Sequence, residues 1–286
     1  MGAMRPFPYS RLHLLPAVVL MLSGHLCAEI RPSFDLEGNI WSATDIVIAS
    51  EGDEIDGKLE VQKVLSGSLT EGDALTIPEL APFRAKERRT VPRAWMNRGN
   101  EKLPHVLSGD QLVLFLKRAG VRAGGEPLWK PASRFGGMDV SVAWIDQGRV
   151  YALTQIVNPG DAVLVDRRES ANEFEQRVRT LIEAHKTTVA CGEIPDQGLR
   201  AKKAAAMTDS PLYLVRDEGF NLLAGCGEDA LPHLREILAD DGKLHMHDAA
   251  LEAFGLAGGL AVVPELTAMV EAELRFWQAT APDLKQ

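Results

Sequence analysis

DEGFNLLAGCGEDALPHLREIL, residues 217–238, can be laid over DAALEAFGLAGGLAVVPELTAMV, residues 248–270. Asp217 falls on Asp248, Leu223 on Phe254 and Gly227 on Gly258 at an offset of 31; after one inserted residue, Pro232 falls on Pro264 at an offset of 32. Each copy reads as a helix, a glycine-containing turn and a second helix. Pro stands in the first turn of that second helix, where a missing backbone N–H breaks no hydrogen bond. In the final helix Leu266, Met269, Val270, Leu274 and Trp277 form a stripe at helical spacing, which needs a neighbour to cover it. Gly219 inside the first repeat helix costs about 1 kcal/mol relative to Ala.

This repeat, over roughly residues 210–274 with an earlier helix at 198–207, resembles HEAT repeats, in which helix pairs stack into a solenoid. The resemblance implies an architecture and an extended ridged surface for partners. It implies no catalytic residues. Two units are fewer than a freestanding solenoid uses, so the block is expected to pack on something else.

Upstream, the period changes at Ser170. Ser170 to Glu173 fits a capping box, and Phe174, Val178, Leu181, Ile182 and His185 then recur at helical spacing. His185 reads as a packed side chain of that stripe. Before it, from Ile30 to Val165, the chain reads as β. Residues 45–49, 58–65, 73–77, 111–117, 139–145 and 149–156 are runs rich in Val, Ile, Leu and aromatics, broken by Gly, Pro, Asp and Ser. Asp146, Gln147 and Gly148 join the last two as a hairpin, and Val140, Val142 and Trp144 share a face. Asn158-Pro159-Gly160-Asp161 reads as a turn. The stretch Lys63-Val-Leu-Ser-Gly-Ser-Leu-Thr-Glu-Gly-Asp73, followed by Leu112-Val-Leu-Phe-Leu116, resembles small OB-like barrels, including netrin-like modules of exported proteins.

The first 28 residues stand apart from both regions. Arg5 and Arg11 precede an apolar run from Leu14 to Leu22, and a short polar and small-residue stretch leads to Ala28, the layout of a secretory signal cut after Ala28. The run is about half the roughly 20 residues of a membrane span and contains Pro16. Cys27 raises lipoprotein anchoring as an alternative, against which Gly24 and Leu26 are the wrong residues around a lipidated Cys. The expected location is periplasmic or secreted, with no stable membrane insertion once the signal is removed.

Charge narrows the functions further. The 286 residues carry 31 Lys and Arg against 40 Asp and Glu, a net charge of -9. Loss of Arg5 and Arg11 takes it to -11. Nucleic-acid binding relies on cations that neutralise phosphate and is disfavoured, as is an anionic membrane surface. One local exception is the basic segment Arg84, Lys86, Arg88, Arg89, Arg93 and Arg98 around Pro92 and Trp95. It reads as a solvated loop, or as a docking site in which Arg84, Arg88, Arg89 and Arg93 surround Trp95 as an aromatic anchor.

Two cysteines follow the signal, Cys191 and Cys226. In an oxidising compartment they form either a disulfide or two buried thiols acting as small apolar side chains. Closing a loop of about 35 residues would remove denatured-state entropy worth about 3–4 kcal/mol. His245, His247 and Asp248 supply ligand types that zinc accepts, with His233 upstream. On a helix, residues two apart point away from each other, and Asp248 is also explained by helix capping. No metal is therefore assigned.

No GxSxG, HExxH, GxxxxGK[ST] or GxGxxG motif and no pair of CxxC motifs occurs. No catalytic residue and no cofactor is assigned. The resulting expectation is an α+β protein: a signal at 1–28, an antiparallel OB-like β barrel or sandwich at 29–166, connecting helices at 167–209 and a HEAT-like helical domain at 210–286. Its expected role is a non-catalytic protein-binding or scaffolding module with a protein partner. One rival is an inhibitor or regulator of a secreted enzyme acting through the β domain. Another is a metal-dependent hydrolase.

Overall fold

The computed structural model of the chain describes residues 34–51, 58–77, 111–121, 125, 127–132, 141–155 and 162–280. The architecture is mixed, with an antiparallel eight-stranded sheet in the N-terminal half and six α-helices in the C-terminal half. The chain forms two compact units, one spanning Glu29–His185 and the other holding Lys186–Gln286.

In the first unit a short helix, α1 (Leu36–Ser42), precedes the strands. These are β1 (Asp45–Glu51), β2 (Lys58–Ser66), β3 (Ala74–Thr76), β4 (Gln111–Val121), β5 (Pro127–Pro131), β6 (Val142–Asp146), β7 (Arg149–Gln155) and β8 (Ala162–Ser170). They lie in the order β3-β2-β1-β4-β6-β7-β8, with β5 also paired to β4. The six expected strands are present, and β5, β8 and α1 are additional. The pairing of β1 with β4 joins distant parts of the chain, from Asp45 opposite Leu116 to Ser50 opposite Gln111.

The central strands are apolar on both faces because both faces are covered. On β4, Leu112, Val113, Leu114, Phe115 and Leu116 are all buried. One face contributes Val47, Ala49, Leu59, Val61, Leu75, Leu112, Leu114, Val142 and Trp144 to a single core. Toward the other face, Phe34 meets the Phe115 ring edge-on at 6.0 Å and the Phe174 ring at 6.5 Å. Phe174 opens the buried stripe of α2 (Ala171–Gly192), in which Val178, Leu181 and Ile182 are also buried. The expected stripe is thus the helix's packing face. His185, at the end of that stripe, stacks on Trp41 at 4.6 Å between centroids.

Two local devices shape this unit. The hairpin joining β6 to β7 turns on Gln147 (φ 46°) and Gly148 (φ 75°), with Asp146 opposite Arg149. Positive φ at both central residues matches the twist of the flanking strands. The buried Asp45 carboxylate accepts hydrogen bonds from Ser68 N (2.6 Å), Ser68 Oγ (3.2 Å), Leu69 N (3.3 Å) and Thr44 Oγ1 (2.8 Å), fastening the turn after β2. Gly67 stands in that turn at φ +111°, and a Cβ there would run into Asp45. Both requirements select glycine.

The helix α2 begins with the capping box anticipated from sequence. Ser170 N donates to Glu173 Oε2 at 2.9 Å, and Glu173 N donates back to Ser170 Oγ at 3.3 Å. Further along, Glu175 receives Lys63 Nζ from β2 at 2.8 Å and Arg179 Nη2 at 3.0 Å. The boundary between the two units falls inside α2, so the helix's first half belongs with the sheet rather than with a separate connector.

The second unit continues with α3 (Gln197–Met207), α4 (Tyr213–Ala224), α5 (Leu231–Ala239), α6 (His247–Gly258) and α7 (Val263–Thr280). Asp196 caps α3 by accepting from Leu199 N at 2.7 Å. The repeat is visible in the elements. A 3-10 turn at Gly227–Ala230 joins α4 to α5, and another at Gly259–Val262 joins α6 to α7. Leu223 and Phe254, equivalent in sequence, are both fully buried in one core. Two details of the alignment change. Positive φ falls on Gly227 and Gly259, so the inserted residue precedes the turn glycine rather than following it. Asp248 lies in the first turn of α6, whereas Asp217 is in the interior of α4, so capping accounts for neither repeat's aspartate as a shared feature.

Gly219 is explained by contact. A Cβ there would lie 3.0 Å from Ala204 O and 3.2 Å from both Met207 Cβ and Thr208 N. The missing side chain lets α4 rest on the backbone of α3, which offsets the propensity cost read from the sequence.

Candidate functional site

The helices α6 and α7 use their apolar residues in two ways. Ala250, Ala253, Phe254 and Val262 are buried in the helical core, with Leu266 and Met269 packed against it. A second set faces solvent: Leu256 (67% exposed), Leu260 (90%), Val263 (47%), Val270 (57%) and Leu274 (54%). On α7, Val263, Thr267, Val270 and Leu274 are spaced by four, three and four, which places them along one stripe beside the inward-facing one. The stripe expected from sequence therefore splits. Leu266 and Met269 turn inward, Val270 and Leu274 turn outward, and the Trp277 side chain lies outside the described residues.

This segment, Asp241–Arg275, contains an 18-residue window of mean hydropathy 1.6, long and apolar enough by composition to cross a membrane. Its geometry is that of a helix pair instead. Gly259 at φ +52° separates α6 from α7, and the 12 residues of α6 rise only about 18 Å, well short of a bilayer's apolar thickness.

An ion pair at the surface adds to the shared core in linking α7 to α5. Arg235 on α5 makes a two-pronged bond to Glu265 on α7, with Nε 3.0 Å from Oε1 and Nη2 2.9 Å from Oε2. The same guanidinium lies 5.3 Å from the centre of the Phe254 ring on α6. The hydrogen bond that Arg235 donates to Glu265 holds the Arg235 pKa above its ordinary value. Three helices therefore meet at one cation.

The candidate zinc ligands are not brought together. His247 is buried, with Nε2 3.1 Å from Ile237 O and 3.2 Å from Asp240 O, so it closes the C-terminal end of α5. His245 and Asp248 are exposed. Among the described residues no group of three or more His, Cys, Asp or Glu could hold a metal ion. The basic segment Arg84, Arg88, Arg89, Arg93 and Trp95 lies outside the described residues.

Cys191 and Cys226 are both free thiols in this structure and both buried in the core of the helical unit. What joins them is not readable from their spacing. Arg200 on α3 lies between: its Nε donates to Cys226 Sγ at 3.3 Å, and its backbone oxygen accepts from Cys191 Sγ at 4.0 Å. Arg200 Nη1 also donates to Ile194 O at 3.2 Å. Burial pushes the Cys191 thiol above its ordinary pKa, Lys203 and Arg200 draw it down, and the neighbouring Cys226 pushes it up.

Set beside known proteins, the chain matches no family model, no curated protein and no solved structure.

Proposed function

We propose that this protein is an exported, non-catalytic protein-binding module in which a HEAT-like helical stack, following an OB-like β module, holds a protein partner on the outer face of α6 and α7. One observation carries the reading. Five of the large apolar side chains that face solvent among the described residues fall between Leu256 and Leu274, on two successive helices and the turn that joins them. Exposed apolar surface gathered in this way marks interaction sites more often than scattered single residues do. The acidic sequence, at a net charge of -9, speaks for a protein partner over nucleic acid. The signal-like segment at residues 1–28 supports an encounter outside the cytoplasm.

The test is a paired capture experiment from envelope and secreted fractions. The full chain serves as one bait and a Leu260→Glu/Leu274→Glu variant with an unchanged circular dichroism spectrum as the other. The expected result is a partner held by the first and lost, by at least about tenfold, from the second. Identical sets of captured proteins from both baits would sink the reading.

A further inference from the structure

We propose that Cys191 and Cys226 form a redox couple that closes to a disulfide by thiol–disulfide exchange, with Arg200 as the residue that positions the second sulfur. The inference is independent of the apolar face of α6 and α7. It rests on placement: two buried sulfurs from separate helical segments share one core and touch the same residue. Arg200 Nε donates to Cys226 Sγ at 3.3 Å and so holds that sulfur in the core it shares with Cys191. Cys191 sits near the end of α2, and its Sγ donates to Arg200 O at 4.0 Å.

The order of events follows from exposure. Cys191 is 4% exposed and Cys226 is fully buried. An external disulfide, such as oxidised glutathione or the active disulfide of a thiol oxidoreductase, therefore reaches Cys191 first, when the end of α2 opens locally. The Cys191 thiolate attacks that disulfide, whose S–S bond breaks as a mixed disulfide forms and one thiolate leaves. The Cys226 thiolate then attacks the Cys191 sulfur, forming the Sγ–Sγ bond and expelling the second thiolate. Two electrons pass to the external disulfide, and the two cysteine protons end on its two released thiols. Closure draws Cys226 away from Arg200 and ties the end of α2 to the turn before α5, making the stability of the helical unit depend on the redox poise around it.

The experiment uses the full chain carrying Cys27→Ser, which leaves two thiols. It is equilibrated in graded mixtures of reduced and oxidised glutathione, folded and in urea, then quenched, alkylated and mapped by peptide mass. The expected result is a Cys191–Cys226 cross-linked peptide that forms in the folded chain at oxidised-to-reduced ratios at least about tenfold lower than in the unfolded chain. Equal ratios for folded and unfolded chains, or two thiols still alkylated at every ratio, would overturn the couple. A Cys226→Ser variant should accumulate glutathione on Cys191. Arg200→Gln, assayed by closure rate after mixing so that only folded molecules count, should close several-fold more slowly. A rate unchanged in that variant would remove Arg200 from the mechanism.

Discussion

The sheet and the helical repeat treat apolar side chains in opposite ways. In β1 and β4 the chain is apolar on both faces, and both are consumed: one by the core around Trp144, the other toward Phe34 and Phe174. In α6 and α7 half of the apolar set is consumed in the same manner, while Leu256, Leu260, Val263, Val270 and Leu274 stay in solvent. The difference teaches where to look for function. Among the described residues, β1 and the buried part of β4 spend their apolar side chains on both faces, whereas α6, α7 and the turn between them keep a cluster in solvent.

The largest effect that could break this contrast is at Trp144. Its replacement by Ala should cost about 3–5 kcal/mol in urea unfolding of the full chain, the range for removing a buried aromatic. Leu274→Ala should change the same midpoint by no more than about 0.5 kcal/mol, because a surface side chain leaves no cavity. Comparable losses from the two would mean that α7's outer face is structural. Next in size is Gly219→Ala, which should destabilise the helical unit by about 1–3 kcal/mol, because the new methyl meets the backbone of α3. A gain in stability, as helix propensity alone would give, would show that α3 and α4 are not in close contact.

A smaller effect is expected where the two regions are linked in sequence. Ser170→Ala should cost about 1 kcal/mol by removing the cap of α2. The Glu173 carboxyl in that cap lies below its ordinary pKa, first through the bond from the Ser170 backbone and then through the Ser170 hydroxyl. A lowered folded value means that the contribution is fully present above the ordinary glutamate value of about 4.3 and is lost as the pH falls through the lowered one. Thermal melts of the native chain and of Ser170→Ala should therefore differ most at neutral pH, with the difference narrowing in acid to the part that the Glu173 N to Ser170 Oγ bond contributes. Smallest of all, Arg235→Ala should cost no more than about 1 kcal/mol, since the ion pair with Glu265 is largely exposed, and the difference should shrink in high salt. A larger, salt-independent loss would mean that the Phe254 contact, rather than the charge, holds the repeats together.

How much of this was legible depended on whether local pattern carried the information. The helix of Phe174, Val178, Leu181 and Ile182, its capping box, the Gln147-Gly148 hairpin and the helix pairs around Pro232 and Pro264 all announce themselves through spacing or turn chemistry. The strand β8 did not, because Asp166-Arg167-Arg168-Glu169 carries no apolar alternation and, among the described residues, the strand pairs on one side only. The strand β5 is bounded by Pro127 and Pro131, residues that argue against a strand except where pairing is limited, and β5 pairs only with β4. At the sites, the sequence singled out the two cysteines but not Arg200, whose place between them is a product of how α3 packs. It offered His247 as a ligand, although burial had already committed the ring to the backbone of α5. The splitting of the α7 stripe was equally hidden, since spacing shows that a face is apolar and not whether anything covers it.

The pairing of β1 with β4 sets a timetable. Thr44 Oγ1 donates to Leu116 O across 72 positions, so β1 has no partner on that side until that length of chain exists and the loop closes. The helical pairs are joined by turns of a few residues and need no such wait. On a chain emerging from a ribosome or a translocation channel, β1 is thus an early, apolar and half-paired edge, the part of the molecule most open to capture by a chaperone or by another copy of itself.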